Sequence, residues 1–244
     1  MAMISRSDFI NLVSMINYPT VKTNKRIRYY NVPASFDIEV SSFYAGEEAP
    51  ENKRAIMYIW QFGIGDLVTY GRTWEEFETF LISLQAVLDL NADNRLVVYV
   101  HNLPYEWQFI RKRFVWASVF ILDERKPVKA RMGGIEFRDS LKLAGGKSLA
   151  NVAKDLQKHK IEKKVGDLDY NLIRTPLTPL TEKELGYCEY DIRVLNAYIE
   201  EKIEQDGSVD LIPLTNTGYV RNYCRKACFR AVEEVQEYYG RVDA

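Results

Sequence analysis

Two carboxylates lie two residues apart in a short β-branched and aromatic run, SFDIEVSSF at 35–43. In a strand, residues i and i+2 point to the same face, so Asp37 and Glu39 project together while Phe36 and Ile38 point the other way. Two like charges so close repel each other and favour protonation unless a cation lies between them. The pair therefore predicts either a bound cation or a strand whose polar face is exposed to solvent.

Two later stretches hold polar residues at positions suited to catalysis. YVHNLPYEWQF at 99–109 continues an apolar run and places Asn102 and Glu106 at the carboxyl end of a predicted strand, where open α/β sheets keep their sites. In YCEYD, Tyr187 and Asp191 are four residues apart and share one face of a helix. Each feature also has a purely structural explanation, such as a carboxylate in the first turn of a helix or a tyrosine at the edge of a core.

Alternation and apolar runs predict the strands that would carry these residues. The predicted strands lie at 35–41, 55–65, 67–71 and 95–102 and within 119–140. The first three suggest an antiparallel meander, and the continuous apolar run RLVVYVHN at 95–102 is typical of a buried central strand.

Helical periodicity and capping residues predict the helices. A short helix capped by Ser7 is expected at 7–16, and capping boxes at 73–76 and 181–184 begin two others. The remaining predicted helices lie from Pro104 to about Arg113, at 147–157 and at 216–239, and the helix after 181–184 is expected to run from 182 to about 205. Strands in a meander followed by alternating helices and strands indicate an α/β fold, a mixed sheet with helices packed on it.

Charge and cysteine content exclude several classes of protein. The chain has 33 basic and 34 acidic residues, so no overall basic excess indicates nucleic acid, although local basic runs occur at 111–113, 124–131, 158–164 and 221–230. Three cysteines and two histidines support neither a disulfide framework nor a four-ligand zinc site. No apolar run is long enough for a membrane span and the N-terminus lacks a signal-peptide pattern, so a cytoplasmic protein without a membrane partner is expected.

The order of the motifs resembles that of a known enzyme family. FDIEV, HNLPYEWQFI and YCEYDI resemble the three motifs of DEDD exonucleases, in the tyrosine branch because Gly186 stands where the other branch has histidine. More narrowly, the chain resembles the N-terminal 3′→5′ exonuclease domain of the protein-primed family B DNA polymerases of bacteriophages. DSLK at 139–142, GDLDY at 166–170 and IPLTNTGYVR at 212–221 agree with this. The resemblance covers 35–225 and implies an RNase H-like (DnaQ-like) mixed sheet flanked by helices.

This resemblance implies a role for each matching residue. Two divalent metal ions, Mg²⁺ or Mn²⁺, would be held by four carboxylates: Asp37, Glu39, Glu106 and Asp191. Oxygen ligands suit these hard ions, and such a pair of ions stabilises both the attacking and the leaving oxygen of phosphodiester hydrolysis. Tyr187 would orient the attacking water. The 3′ end of a single DNA strand would be contacted by Asn102, Tyr105, Ser140, Leu141 and Lys164.

Three positions depart from the family pattern. Glu106 stands where the best-known members have aspartate, and Val40 stands where a threonine often contacts the substrate strand. Val165 precedes GDLDY where the family has lysine, so Lys164 is one position early.

Three segments are predicted: an N-terminal helix and basic arm at 1–30, the RNase H-like domain at 31–210, and a C-terminal linker with an amphipathic helix at 211–244.

The chain has no polymerase motif, so the resemblance implies a metal-dependent 3′→5′ exonuclease, the proofreading domain or a fragment of a DNA polymerase, acting on single-stranded DNA. A priming (terminal) protein or a polymerase domain would be a further partner. The alternatives are a catalytically silent module that binds single-stranded DNA or the priming protein, and a generic α/β interaction domain.

Overall fold

The computed structural model describes residues 3–24, 26–162 and 168–242, with side chains described as far as residue 234. The strands are β1 (Thr20–Lys22), β2 (Arg28–Tyr30), β3 (Ala34–Tyr44), β4 (Lys53–Ile64), β5 (Leu67–Gly71), β6 (Asn94–Val100), β7 (Ser118–Asp123), β8 (Lys126–Met132) and β9 (Ile135–Asp139). The helices are α1 (Arg6–Met15), α2 (Trp74–Val87), α3 (Leu103–Ile110), α4 (Ser140–Leu143), α5 (Leu149–Asp155), α6 (Glu182–Asp206) and α7 (Asn216–Val242).

The strands form one mixed sheet in the order β5–β4–β3–β6–β9–β8–β7. At its side, β2 pairs with the beginning of β6, and β1 pairs with β2. The β3–β6 and β6–β9 pairs are parallel, whereas the β3–β4–β5 and β7–β8–β9 meanders are antiparallel. The carboxyl ends of β6 and β9 lie side by side, because Val100 pairs with Asp139, and they lie beside the first residues of β3, where Ser35 pairs with Tyr99. Helices α3 and α4 begin there.

The ladder between β3 and β4 contains a β-bulge beside the acidic strand. Glu39 pairs with Ile59, whereas the next residue, Val40, pairs with Met57. Tyr58 is therefore an extra residue on β4. Such a bulge bends the strand that carries it and increases the local twist.

One face of the sheet is covered by α1, α2 and α3. Phe36 and Ile38 of β3 point to this face and share one hydrophobic core with Phe77 and Leu81 of α2 and Phe9 of α1. The rings of Phe36 and Phe77 are stacked, with their centroids 4.5 Å apart. This packing fixes which side chains of β3 face α1 and α2, because a slip of one residue would turn every side chain to the opposite face.

The opposite face of the sheet is covered by α6. Leu195 and Ile199 of α6 lie in a second hydrophobic core with Val97 of β6. On the same face, Ser35 of β3 donates its hydroxyl to Oδ1 of Asn196 at 2.7 Å. The two carboxylates of β3 alternate in step with Ser35, so they point toward α6.

The structure confirms the predicted α/β class and both capping boxes, with Thr73 and Thr181 as N-caps. The predicted cap of the first helix was wrong: Ser5 accepts the N–H of Asp8, and Ser7 lies inside the first turn. Ser5 and Ser7 are equally suitable N-caps by residue type, so the sequence alone does not decide between them.

None of the described helices is long and apolar enough to span a bilayer. The segment boundaries at 30 and 210 stay predictions.

Candidate metal centre

β3 and α6 bring three carboxylates together. One oxygen from each of Asp37, Glu39 and Asp191 lies within 4.8 Å of the other two. Glu39 is 7% exposed, whereas Asp37 and Asp191 are half-buried. The group is therefore enclosed by protein on the side of Glu39 and reachable from solvent past the other two.

Burial and mutual repulsion raise the pKa values of these acids. The pKa of Asp37 rises to about 7, first through burial and then through the charge of Asp191. The pKa of Glu39 also rises, first through burial and then through the charges of Asp37 and Asp191. Near neutral pH such a group of carboxylates is stable only when bound protons or a cation offset the repulsion between them. A set of oxygen ligands suits a hard divalent cation, so these acids could bind a metal ion.

Glu106 lies beside this group, in the first turn of α3. Its side chain is 2% exposed, and its Oε2 atom has no hydrogen-bond partner among the described residues. Burial raises the pKa of Glu106, and the charges of Asp37 and Asp139 raise it further. Glu106 is not one of the carboxylates whose oxygens all lie within 4.8 Å of one another. A buried oxygen without a partner is costly, and a cation held by the neighbouring acids would satisfy it.

Tyr187 lies one helical turn before Asp191 and is half-buried. Its hydroxyl oxygen is 3.3 Å from that of Tyr170. Burial, followed by the charge of Asp191, raises the pKa of Tyr187. The phenol therefore keeps its proton at neutral pH and can donate a hydrogen bond beside the acids.

Two of the residues predicted to contact DNA begin α3. Asn102 is exposed and has a left-handed backbone with φ 83°, a conformation that asparagine tolerates better than most residues. Tyr105, in the next turn, is 43% exposed, and its ring centroid lies 5.6 Å from that of Phe109. An exposed aromatic ring at the edge where β6 ends is placed to stack on a base, and this role stays a prediction.

The other predicted DNA contacts are placed differently. Leu141 is half-buried in α4, whereas Ser140 is fully buried and donates its hydroxyl to the carbonyl of Val100 at 3.3 Å. The side chain of Ser140 thus faces the protein interior and ties α4 to the end of β6. Lys164 lies outside the described residues, so its role stays a prediction.

A buried arginine beside the acids has no counterpart among the residues predicted from the sequence. Arg174 is 4% exposed; it donates Nε to Glu184 Oε1 at 2.6 Å and Nη1 to the carbonyl of Asp169 at 2.8 Å. Its backbone N–H donates to Oγ of Ser41 at 2.8 Å, which ties the loop at 168–181 to β3. The charge of Arg174 opposes the burial that raises the pKa of Glu39.

A second arginine holds the far end of the same loop. Arg72 donates Nη2 to the carbonyl of Thr178 and Nε to the carbonyl of Tyr58, both at 2.6 Å. The guanidinium carbon of Arg174 lies 5.7 Å from the centroid of the Tyr58 ring. The bulged residue of β4 is therefore contacted by both arginines. Together they fix the loop that presents Tyr170 to the site.

A mixed sheet with helices on both faces and a cluster of carboxylates between β3 and α6 defines an RNase H-like α/β domain with a candidate metal centre. No protein-family model and no curated protein matches the chain. Solved structures do match. The chain is similar to phi29 DNA polymerase complexed with primer-template DNA and incoming nucleotide substrates, with a TM-score of 0.57 and 19% identity. It is also similar to phi29 DNA polymerase complexed with single-stranded DNA, with a TM-score of 0.55 and 17% identity.

These similarities cover 76% of this chain and only 32% and 33% of the two polymerase chains. The chain thus spans about a third of the length of the structures it resembles. At such low identity the likeness establishes the fold, and it confirms the predicted fold class. It also agrees with the resemblance of the motifs to protein-primed family B DNA polymerases.

Proposed function

We propose that this domain is a metal-dependent 3′→5′ exonuclease that removes nucleotides from the 3′ ends of single-stranded DNA. The observation that carries the proposal is the group of three carboxylates on β3 and α6, with the Tyr187 hydroxyl one turn away. Acids that repel each other this strongly are retained at a functional site more readily than in a structural core. The similar phi29 polymerase structure in complex with single-stranded DNA supports the choice of substrate.

Each residue would have a defined part in hydrolysis. Asp37, Glu39 and Asp191 would hold two divalent ions, Mg²⁺ or Mn²⁺, with Glu106 completing the set through its unpartnered oxygen. The bound ions would supply the positive charge that stabilises the attacking and leaving oxygens. The Tyr187 hydroxyl would hold the attacking water in line with the phosphodiester.

Asn102, Tyr105, Leu141 and Lys164 would hold the terminal nucleotides, and Ser140 would support α4 from inside the protein. We further propose that the domain proofreads for a protein-primed DNA polymerase in the cytoplasm of the host. A polymerase domain and a priming protein would then be its partners.

One assay tests the activity. Single strands labelled at the 3′ or the 5′ end are incubated with the protein in Mg²⁺, in Mn²⁺ and in EDTA. Loss of the 3′ label as mononucleotide, with a 5′-labelled ladder that shortens stepwise, is the expected result in either metal, and EDTA should stop it. Tight binding without cleavage in any metal would instead identify a silent binding module.

The same assay with a blunt duplex tests the proofreading role. We expect single-stranded ends to be cut faster, because a paired terminus must first be unstacked at a cost of a few kcal/mol. Cleavage should also slow as salt is raised, since phosphate contacts are screened. Equal rates on the blunt duplex and on the single strand would contradict proofreading.

Tyr187→Phe removes one hydroxyl and almost no volume. We expect turnover to fall by about ten- to a hundredfold, because this is the rate effect of losing one hydrogen bond to a charged group. Single strands should still bind. Single-turnover rates and binding in EDTA measure the two effects separately. Tyr44→Phe, which alters an exposed tyrosine at the end of β3, is the control. A Tyr187→Phe protein that binds weakly but cuts at the full rate would assign the hydroxyl to binding.

A further inference from the structure

Gln61 of β4 is a buried polar residue beside the acidic group. It pairs with Asp37 across the β3–β4 ladder, in the regular part of the register before the bulge. Side chains directly opposite each other on antiparallel strands point to the same face, with their Cβ atoms about 4.5–5.5 Å apart. The amide of Gln61 is therefore within reach of the Asp37 carboxylate, on the face of the sheet that α6 covers.

The side chain of Gln61 is closed off from solvent and poorly supplied with polar contacts. It is 0% exposed, and neither its Nε2 nor its Oε1 atom has a hydrogen-bond partner among the described residues. Its polar neighbour on α6 is the thiol of Cys188, which is only a weak hydrogen-bonding group. A Cβ atom at Gly63 would lie 2.5 Å from Cγ2 of Ile192, so α6 packs directly on β4 at this point. An amide buried in this way lowers the stability of the fold unless it serves a partner.

An apolar side chain would suit the fold at position 61. Ile59, two residues earlier on the same strand, and Cys188 belong to one buried hydrophobic cluster. An apolar side chain between them would extend this cluster without burying an unpaired amide. Packing therefore does not account for the glutamine, whereas the carboxylate of Asp37 on the neighbouring strand offers an acceptor for its N–H groups.

We propose that Gln61 is a positioning residue of the metal centre, whose side-chain amide donates to the Asp37 carboxylate and fixes its orientation toward a bound divalent cation. The proposal rests on the proposed metal-dependent function. Carboxylates that ligate metal ions are themselves hydrogen-bonded by neighbouring groups, and removing such a group weakens metal affinity or activity by about ten- to a hundredfold. The unpartnered Nε2 atom of Gln61 supplies the donor that this bond requires.

Calorimetric titration of Mn²⁺ into the protein without DNA tests the proposal independently of cleavage. Gln61→Met keeps the length and nearly the volume of the side chain and removes the amide. Gln205→Met is the matched control, because Gln205 is exposed on α6 and lies about 21 Å along this helix from Asp191. Melting temperatures in EDTA are measured on the wild type and both variants.

We expect Gln61→Met to bind Mn²⁺ about ten- to a hundredfold more weakly than the wild type and Gln205→Met do. The melting temperature of Gln61→Met in EDTA should equal or exceed that of the wild type, because an apolar group of similar shape replaces an unpaired buried amide. In parallel cleavage assays, the Mn²⁺ concentration that gives the half-maximal rate should rise by the same factor as the dissociation constant.

Two results would overturn the proposal. One is an affinity for Mn²⁺ in Gln61→Met equal to that of the wild type, which would leave the metal centre and the exonuclease standing without this residue. The other is a melting temperature of Gln61→Met well below that of Gln205→Met, which would show that the amide serves the fold. Absence of both Mn²⁺ binding and cleavage in the wild type would instead remove the proposed function, and the role of Gln61 with it.

Discussion

Asp37→Asn is expected to lower metal-dependent cleavage at least about a thousandfold, because the residues of a catalytic group act as a unit. Asparagine keeps the shape of the side chain but leaves two carboxylates in the group where there were three. The measurement is the initial rate on a 3′-labelled single strand in Mg²⁺ and in Mn²⁺. Asp93→Asn is the matched control, since Asp93 is exposed in the turn before β6. A near-wild-type rate for Asp37→Asn would remove Asp37 from the site.

The same substitution should make the metal-free protein more stable at high pH. The pKa of Asp37 is about 7 in the folded protein against an ordinary value of 3.8. Between these values the native state holds a proton that the unfolded chain has lost, so stability in EDTA falls as pH rises. Melting temperatures from pH 4 to pH 8 should therefore decline more steeply for the wild type than for Asp37→Asn. A substitution that only damaged packing would lower the melting temperature at every pH.

Glu106→Gln is expected to lower the cleavage rate by about a hundred- to a thousandfold. The rate of Glu106→Asp should lie between those of the wild type and Glu106→Gln. Glutamine has the length of the native side chain but no charge to offer a cation. Aspartate keeps the charge but stops one methylene short. Glu106 is 2% exposed, and its Oε2 atom has no hydrogen-bond partner among the described residues, so we propose that its carboxylate contacts the bound metal. Rates and melting temperatures of both variants test this.

The competing explanation is that Glu106 merely complements the dipole of α3. In that case Glu106→Gln would cost at most about 1 kcal/mol of stability and leave turnover intact. Glu75→Gln is the matched control, because Glu75 occupies the first turn of α2, is exposed and lies outside the acidic group. If Glu106→Gln behaved like Glu75→Gln in both measurements, three acids alone would hold the metals.

The elements that carry the acids could be predicted because their signals are local. The period of two in β3 places Asp37 and Glu39 on one face, and the structure has them there. The box at Thr181 sets the start of α6, and Tyr187 and Asp191 follow at helical spacing. That the strand and the helix lie close together was implied by the resemblance of the three motifs to DEDD exonucleases, and local periodicity alone does not predict it.

The parts that could not be predicted depend on contacts between distant residues. Arg174 contacts Glu184 of α6, and Arg72 contacts the carbonyl of Tyr58 in β4, and both also contact carbonyl oxygens between β9 and α6. A lone arginine in the sequence has no pattern that predicts such contacts. Ser140 is likewise buried where its hydroxyl donates to the carbonyl of Val100, and the position of Ser140 in the sequence does not reveal this contact. Tyr170 lies in GDLDY, a stretch that resembles the family pattern, but its hydrogen bond to Tyr187 depends on how the distant segments fold together.

The bulge at Tyr58 has an evolutionary consequence. Deleting this residue would bring β3 and β4 back into continuous register, yet it would also remove the carbonyl that Arg72 contacts and the ring beneath Arg174. Adding a residue nearby would turn the following side chains of β4 to the opposite face. Lineages that diverge from this sequence should therefore gain and lose residues in the turns at either end of β4, while the strand between them keeps its length.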